Sequence, residues 1–194
     1  MHDLAFFYLD LLDRLGLDSP VMVGASLGGW LAADIASLDP SRVDKLVLID
    51  PAGLRAEVPT PDMFTLGPVE LAEHLFHTET ARTAAIGLAA RLDQEPALFE
   101  RYLRNRMATA RLGWNPYMHD PKLQGRLHRV TAPTLVVWGE RDRLLPVAYA
   151  QRWAELLPSA RVEIVEAAGH LPFLEQPAAF VGIVSDFLET GSAR

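Results

Sequence analysis

No cysteine occurs in the 194 residues, which removes disulfide scaffolds, thiolate nucleophiles and Cys-based zinc, haem or iron–sulfur sites together. No apolar run reaches the roughly 18 residues that span a bilayer. The chain opens Met1-His2-Asp3, with an acid where a secretory signal carries Lys or Arg. Repeats, low-complexity tracts and basic runs are likewise missing. Lys and Arg are the minority charge, 18 against 25 Asp plus Glu, for a formal net charge of −7 and a pI near 5.3. A nucleic-acid partner is therefore not expected, because phosphate neutralisation needs a basic face. An absent Cys is compatible with the cytosol, and a cytoplasmic location is the expectation.

What is present is an ordinary globular balance, 49% apolar and 22% charged residues, enough for one domain with a real core. Leu4, Phe7, Leu11, Leu12 and Leu15 recur at helical spacing, with Asp3 as a candidate cap and Gly16 as a stop. Phe6, Tyr8 and Leu9 widen that face, which suggests burial against more than one neighbour. Val21-Met22-Val23 then ends at Gly24 and leads into a helix-friendly stretch from Leu31 to Leu38, closed by Asp39-Pro40.

Lys45 to Ile49 and Thr134 to Trp138 are continuous apolar runs ended by turn residues, the pattern of strands covered on both faces in a parallel sheet. Arg161 to Glu166 is a fourth strand candidate. Val147 to Leu157 and Pro177 to about Leu188 read as helices. The alternation predicts an α/β protein with a parallel sheet of about four strands flanked by helices. The segment 54–127 breaks the rhythm; it is rich in Ala, Leu, Arg and Glu and punctuated by prolines. It reads as a helical cap or lid inserted into a core made of 1–53 and 128–194, the alternative being irregular helices packed on the sheet edge.

Gly24-Ala25-Ser26-Leu27-Gly28-Gly29 fits G-x-S-x-G between a strand and a helix. Such a turn lifts the Ser26 hydroxyl above the sheet, and small residues at Gly24 and Gly28 are expected where backbone passes too close for a Cβ. The Leu27 N–H then points at a developing oxyanion, helped by the positive end of the following helix. The rival is a merely structural Gly-rich turn. A serine hydroxyl is a weak nucleophile and needs a base and an orienting acid. Asp142 follows the third strand and His170 the fourth, both where ligand sites gather in such sheets. Alternatively, Asp142 pairs with Arg141 or Arg143 and His170 is a satisfied loop residue. Asp50, also at a strand end, is the rival acid. His2, His74, His77, His119 and His128 lack such context and read as surface or lid residues; a His74–His77 metal pair has no carboxylate cluster beside it.

With GASLGG around Ser26, LVLIDPAGL over 46–54, APTLVVWGERDRLLP over 132–146 and AGHLPFLEQP over 168–177, the chain resembles the α/β-hydrolase fold superfamily, in its lidded esterase, lipase and C–C hydrolase type. The resemblance implies Ser26 as nucleophile, His170 as general base and then acid, and Asp142 as the carboxylate that orients His170. It implies hydrolysis of a small, mainly apolar carboxylic ester with no cofactor and no metal. The alternatives are C–C bond hydrolysis of a ring-cleavage product by the same three residues, and a non-catalytic module. Serine at the nucleophile position argues against the dehalogenases and epoxide hydrolases of the superfamily.

Complete members carry further strands before the helix that precedes the nucleophile strand, and a loop there supplies the second oxyanion N–H, often from a His-Gly motif. This chain has neither, so the Val21 strand is expected to be an edge, and an apolar edge invites association. Two expectations follow: a truncated piece of a longer hydrolase, or a compact form that pairs edge to edge as a homodimer.

Overall fold

Four apolar segments pair into one parallel sheet whose spatial order is the sequence order: β1 (Met22–Ala25), β2 (Leu46–Ile49), β3 (Thr134–Gly139) and β4 (Ala160–Val165). The computed structural model describes residues 1–55 and 58–190. Every residue of β2 and β3 is buried, and alternate side chains separate into two cores. Leu46, Leu48, Val136 and Trp138 face one cluster with Trp30 and Trp153. Val47, Ile49, Leu135 and Val137 face the other, with Phe187. A strand covered on both faces has no polar face to show, which is why these two read as unbroken apolar runs.

The helices follow the strands as expected, with small shifts. α2 (Leu27–Leu38) begins earlier than Leu31, directly after Ser26; α6 (Ala148–Leu156) lies between β3 and β4; and α8 (Pro177–Glu189) follows β4. β2 starts at Leu46; the preceding Lys45 accepts the Met22 N–H at its carbonyl, while its side chain serves a helix. Its ammonium donates to the carbonyls of Phe187, Leu188 and Thr190 at the C-terminal end of α8. A cation there meets the negative end of the helix dipole.

Two expectations for α1 (His2–Leu15) fail. Asp3 is no cap; it lies inside the first turn, and Met1 precedes the helix with no side-chain cap bond. The buried face is also rotated. Ala5 and Leu12 are buried, with Met1 and Leu9 packed on the same core, while Phe7 and Leu15 are 59% and 60% exposed. α1 packs on α2, and Phe6, Phe7 and Tyr8 point away from it. Gly16 does end the helix, at φ 65°.

Among the described residues β1 pairs on one side alone, with β2, which makes it an edge strand there, and Val23 is 56% exposed. No helix among the described residues is long and apolar enough to cross a membrane. Between β2 and β3 run α3 (Pro68–Leu75), α4 (Glu79–Ala90) and α5 (Pro96–Gly113). The two ends of this long connection belong to the core: Leu54, Met118, Leu123 and Leu127 pack with Trp30 and Trp138. One bonded group fixes the returning end. Arg126 donates to Asp34 of α2 and to Asp120, each at 2.7 Å, and His2 Nδ1 lies 3.1 Å from the other Asp34 oxygen.

Asp34 is fully buried, so removing Arg126 takes away the arginine partner of a desolvated carboxylate and leaves it the part-exposed His2 ring. Arg126→Met is expected to lower unfolding stability by about 3–5 kcal/mol, read by urea denaturation; an unchanged midpoint would show that the group contributes nothing.

Candidate active site

The C-terminal ends of β1, β3 and β4 all open on one edge of the parallel sheet, and the turns there carry Ser26, Asp142 and His170. Ser26 adopts φ 52° and ψ −117°, a backbone that costs a non-glycine residue about 1–3 kcal/mol. Three main-chain bonds hold it. Its N–H donates to the Ile49 carbonyl at 2.9 Å, and its carbonyl accepts from Ala52 at 3.1 Å and Trp30 at 3.2 Å.

The glycines around Ser26 divide differently from the expectation. A Cβ on Gly24 would stand 2.3 Å from the Gly28 carbonyl oxygen, so Gly24 must be bare. Gly28 has nothing within 4 Å; the second crowded position is Gly29, where a Cβ would meet Pro51 Cβ at 2.7 Å. The reason is that α2 begins immediately, which turns Gly28 to the open side and Gly29 towards the turn after β2. Leu27 is the first residue of α2. Its N–H therefore belongs to the first turn, whose amides have no acceptor within the helix.

Asp142 is fully occupied. One carboxylate oxygen accepts from the N–H groups of Leu144 and Leu145 at 2.8 and 2.9 Å, and the other lies 2.7 Å from His170 Nδ1. It pairs with neither neighbouring arginine: Arg141 reaches Glu140, and Arg143 reaches the Glu73 carbonyl. His170 is 2% exposed. An acceptor at Nδ1 puts the ring proton there and leaves the lone pair on Nε2, and Nε2 is buried without a protein partner. The structure thus joins Asp142 to His170, but no hydrogen bond joins His170 to Ser26.

Asp50, the rival acid, lies close to His170 but has no hydrogen bond to it. It is fully buried, sits at φ 42°, and accepts the Gly139 N–H at 2.9 Å, while its other oxygen has no hydrogen-bond partner. Ligating atoms of Asp50, Asp142 and His170 lie within 4.8 Å of one another. Burial first, and then the negative charge of Asp142, push the Asp50 carboxyl well above the usual carboxylate range. His170 is bonded to Asp142, and Asp50 lies close to both without a hydrogen bond to the ring.

Glu175, in the short helix α7 (Pro172–Glu175), lies inside the AGHLPFLEQP stretch but is not among the candidates read from the sequence, and both its oxygens are bonded within the site region. His74 Nδ1 lies on the Glu70 carbonyl, and the His77 N–H donates to Glu175. His2 departs from a plain surface role, being tied to buried Asp34; Arg126 already supplies the cation to Asp34 and Asp120 in that cluster. An apolar cavity of about 660 Å³ opens among α3, α4 and α5, lined by Leu71, Leu88 and Leu92 and reaching the His170 loop through Leu75, Phe76 and Leu174.

A profile of the alpha/beta hydrolase family matches residues 2–183. The chain is 32% identical to a 2-hydroxy-6-oxononadienedioate/2-hydroxy-6-oxononatrienedioate hydrolase of Dechloromonas aromatica, over 92% of this chain and 65% of that protein. It is 27% identical to a 2-hydroxy-6-oxo-6-phenylhexa-2,4-dienoate hydrolase of Burkholderia cepacia, over 93% and 66%. A serine hydrolase of Cycloclasticus zankles has the same fold, with a TM-score of 0.75 at 17% identity over 96% of this chain and 70% of that one. The chain spans 59% to 69% of the length of curated relatives such as these.

A carboxyl that is protonated in the folded state but ordinary in the unfolded state takes up a proton on folding. Its contribution is therefore intact below about pH 4 and is lost as pH rises towards the raised value. Asp50→Asn cannot titrate, so its melting temperature is expected to gain on that of the wild type as pH rises from 4 to 8. A constant difference across that window would show an ordinary Asp50.

Proposed function

Because the chain belongs to the alpha/beta hydrolase family, we propose that it is a serine hydrolase of small, mainly apolar carboxylic esters, with Ser26 as nucleophile, His170 as base and Asp142 as the orienting acid. What supports this is the buried 2.7 Å contact between His170 and Asp142, which leaves a free lone pair on Nε2 at the sheet edge where Ser26 heads α2. In the first step Nε2 takes the Ser26 proton while Oγ bonds to the ester carbonyl carbon. The Leu27 N–H and the N-terminus of α2 face the oxygen that becomes negative. The imidazolium, stabilised by Asp142, then protonates the departing alkoxide as the C–O bond breaks. Water, deprotonated by the same nitrogen, releases the acid and restores Ser26. The reaction needs Oγ within about 2.6–3.2 Å of Nε2, a contact that commonly tightens only with substrate bound.

The apolar cavity beside the His170 loop supports an apolar acyl or leaving group, and it gives the helical insertion the work of a cap. C–C bond hydrolysis of a ring-cleavage diketone is the second reading. The names of the Dechloromonas and Burkholderia relatives favour it, and the same serine, histidine and aspartate suffice for it. Hydrolysis of such a diketone but not of simple esters would select it.

Stoichiometric labelling by a fluorophosphonate, read by intact mass, is expected for the wild type and absent for Ser26→Ala. His170→Gln is expected to lower both labelling and p-nitrophenyl butyrate hydrolysis by at least about 10³-fold. No adduct on the folded wild type would overturn Ser26 as the nucleophile.

A further inference from the structure

The partners of the Glu175 carboxylate are hydrogen-bond donors from two distant segments. One oxygen accepts from the N–H of His77 at 2.8 Å, the N–H of Thr78 at 2.6 Å and the Thr78 hydroxyl at 2.9 Å. The other accepts from the N–H of Gly169 at 2.6 Å. His77 and Thr78 join α3 to α4 in the helical insertion, and Gly169 directly precedes His170. The next N–H along, that of His170, donates to the Leu75 carbonyl at 2.8 Å. Both amides that lead into His170 are therefore bonded to the insertion or through Glu175 to it, and neither to β4.

The convergence is tight. A Cβ on Gly169 would lie 2.6 Å from the Leu75 carbonyl oxygen, 2.9 Å from Glu175 and 2.9 Å from the His77 nitrogen. A solvated glutamate at the end of a one-turn helix needs no such approach. The ring of His170 is held from the opposite side, by Asp142 of the loop after β3. So its main chain answers to the insertion and its ring to the core.

We infer that Glu175 is a positioning residue, latching the α3–α4 connection to the His170 loop so that His170 meets Asp142 only while residues 75–78 are docked. The significance of His170 rests on the hydrolase reading, but the latch itself is a matter of hydrogen bonds. Leu75 and Phe76 also border the apolar cavity, as does Leu174, the residue before Glu175. A ligand filling that cavity presses on both sides of the latch, which couples occupancy to the placement of the ring.

The test compares the wild type with Glu175→Gln and Thr78→Val by nitrogen NMR of the His170 ring and by the rate of fluorophosphonate labelling. The amide of Glu175→Gln must turn an NH2 towards one set of N–H donors, so one side of the latch opens without loss of volume. The wild type is expected to hold His170 as the Nδ1–H form. Glu175→Gln is expected to show a mixture of ring forms and at least a tenfold slower labelling, and Thr78→Val, which removes one of the four donors, a smaller change in the same direction. A latch that serves stability alone would lower the melting temperature and leave the ring form unchanged, and that result overturns the inference. Should Glu175→Gln not fold, Thr78→Val decides by the same signal. If the wild type is not labelled but its ring form responds to Glu175→Gln, the hydrolase reading fails and the latch stands.

Discussion

Two loops meet without side chains at the end of β3, and the candidate site is built on that meeting. A Cβ on Gly139 would stand 1.9 Å from the Gly169 carbonyl oxygen, a distance no adjustment of a neighbouring side chain relieves. Because both positions are glycine, the turn carrying Asp142 and the turn carrying His170 run in contact, and the Arg141 N–H bonds the Ala168 carbonyl at 2.8 Å. The Gly139 N–H meanwhile donates to Asp50. One short stretch of backbone thus sets the positions of all three titratable groups, and the sheet beneath, with β2 and β3 wholly buried, makes that stretch rigid.

The same closeness creates an electrostatic problem. Asp50, Asp142 and His170 are all buried, and two ionised carboxylates so near each other in a low dielectric are strongly unfavourable. Asp142 has two N–H donors and the His170 ring as partners, whereas Asp50 has one N–H donor and a bare oxygen. The donors are divided unequally: the carboxylate with more of them faces the imidazole, and the one with fewer is pushed above the usual carboxylate range. Sites that break the ordinary rules of burial in this way are tolerated where function needs them and are offset by packing elsewhere.

The strands, the helical insertion and the positions of Ser26, Asp142 and His170 are legible in the sequence because each rests on a local pattern: an apolar run, a turn residue, a place at a strand end. Gly24 is legible for the same reason. What escapes the sequence depends on neighbours distant along the chain. The face α1 buries is decided by α2, and the crowding of Gly29 rather than Gly28 is decided by Pro51. Where the Lys45 ammonium goes depends on the end of α8, 142 and 145 residues away. The role of Glu175 is not legible, since three of its four donors lie 97 and 98 residues away and three of the four are backbone amides, which every sequence has.

The fixed and free parts of the site together say how it would act. The Ser26 backbone is pinned by three main-chain bonds. The His170 main chain is pinned by Leu75 and, one residue earlier, by Glu175; its ring is pinned by Asp142. The serine side chain is not held by these main-chain bonds, and its torsion moves between staggered wells at small cost. Strain at φ 52° is thus stored in a residue whose backbone is bonded at both ends, while its hydroxyl keeps the torsional freedom that the proposed proton transfer uses. A site arranged so pays the ordering entropy on folding rather than at the moment of reaction, which is the condition under which orientation lowers a barrier.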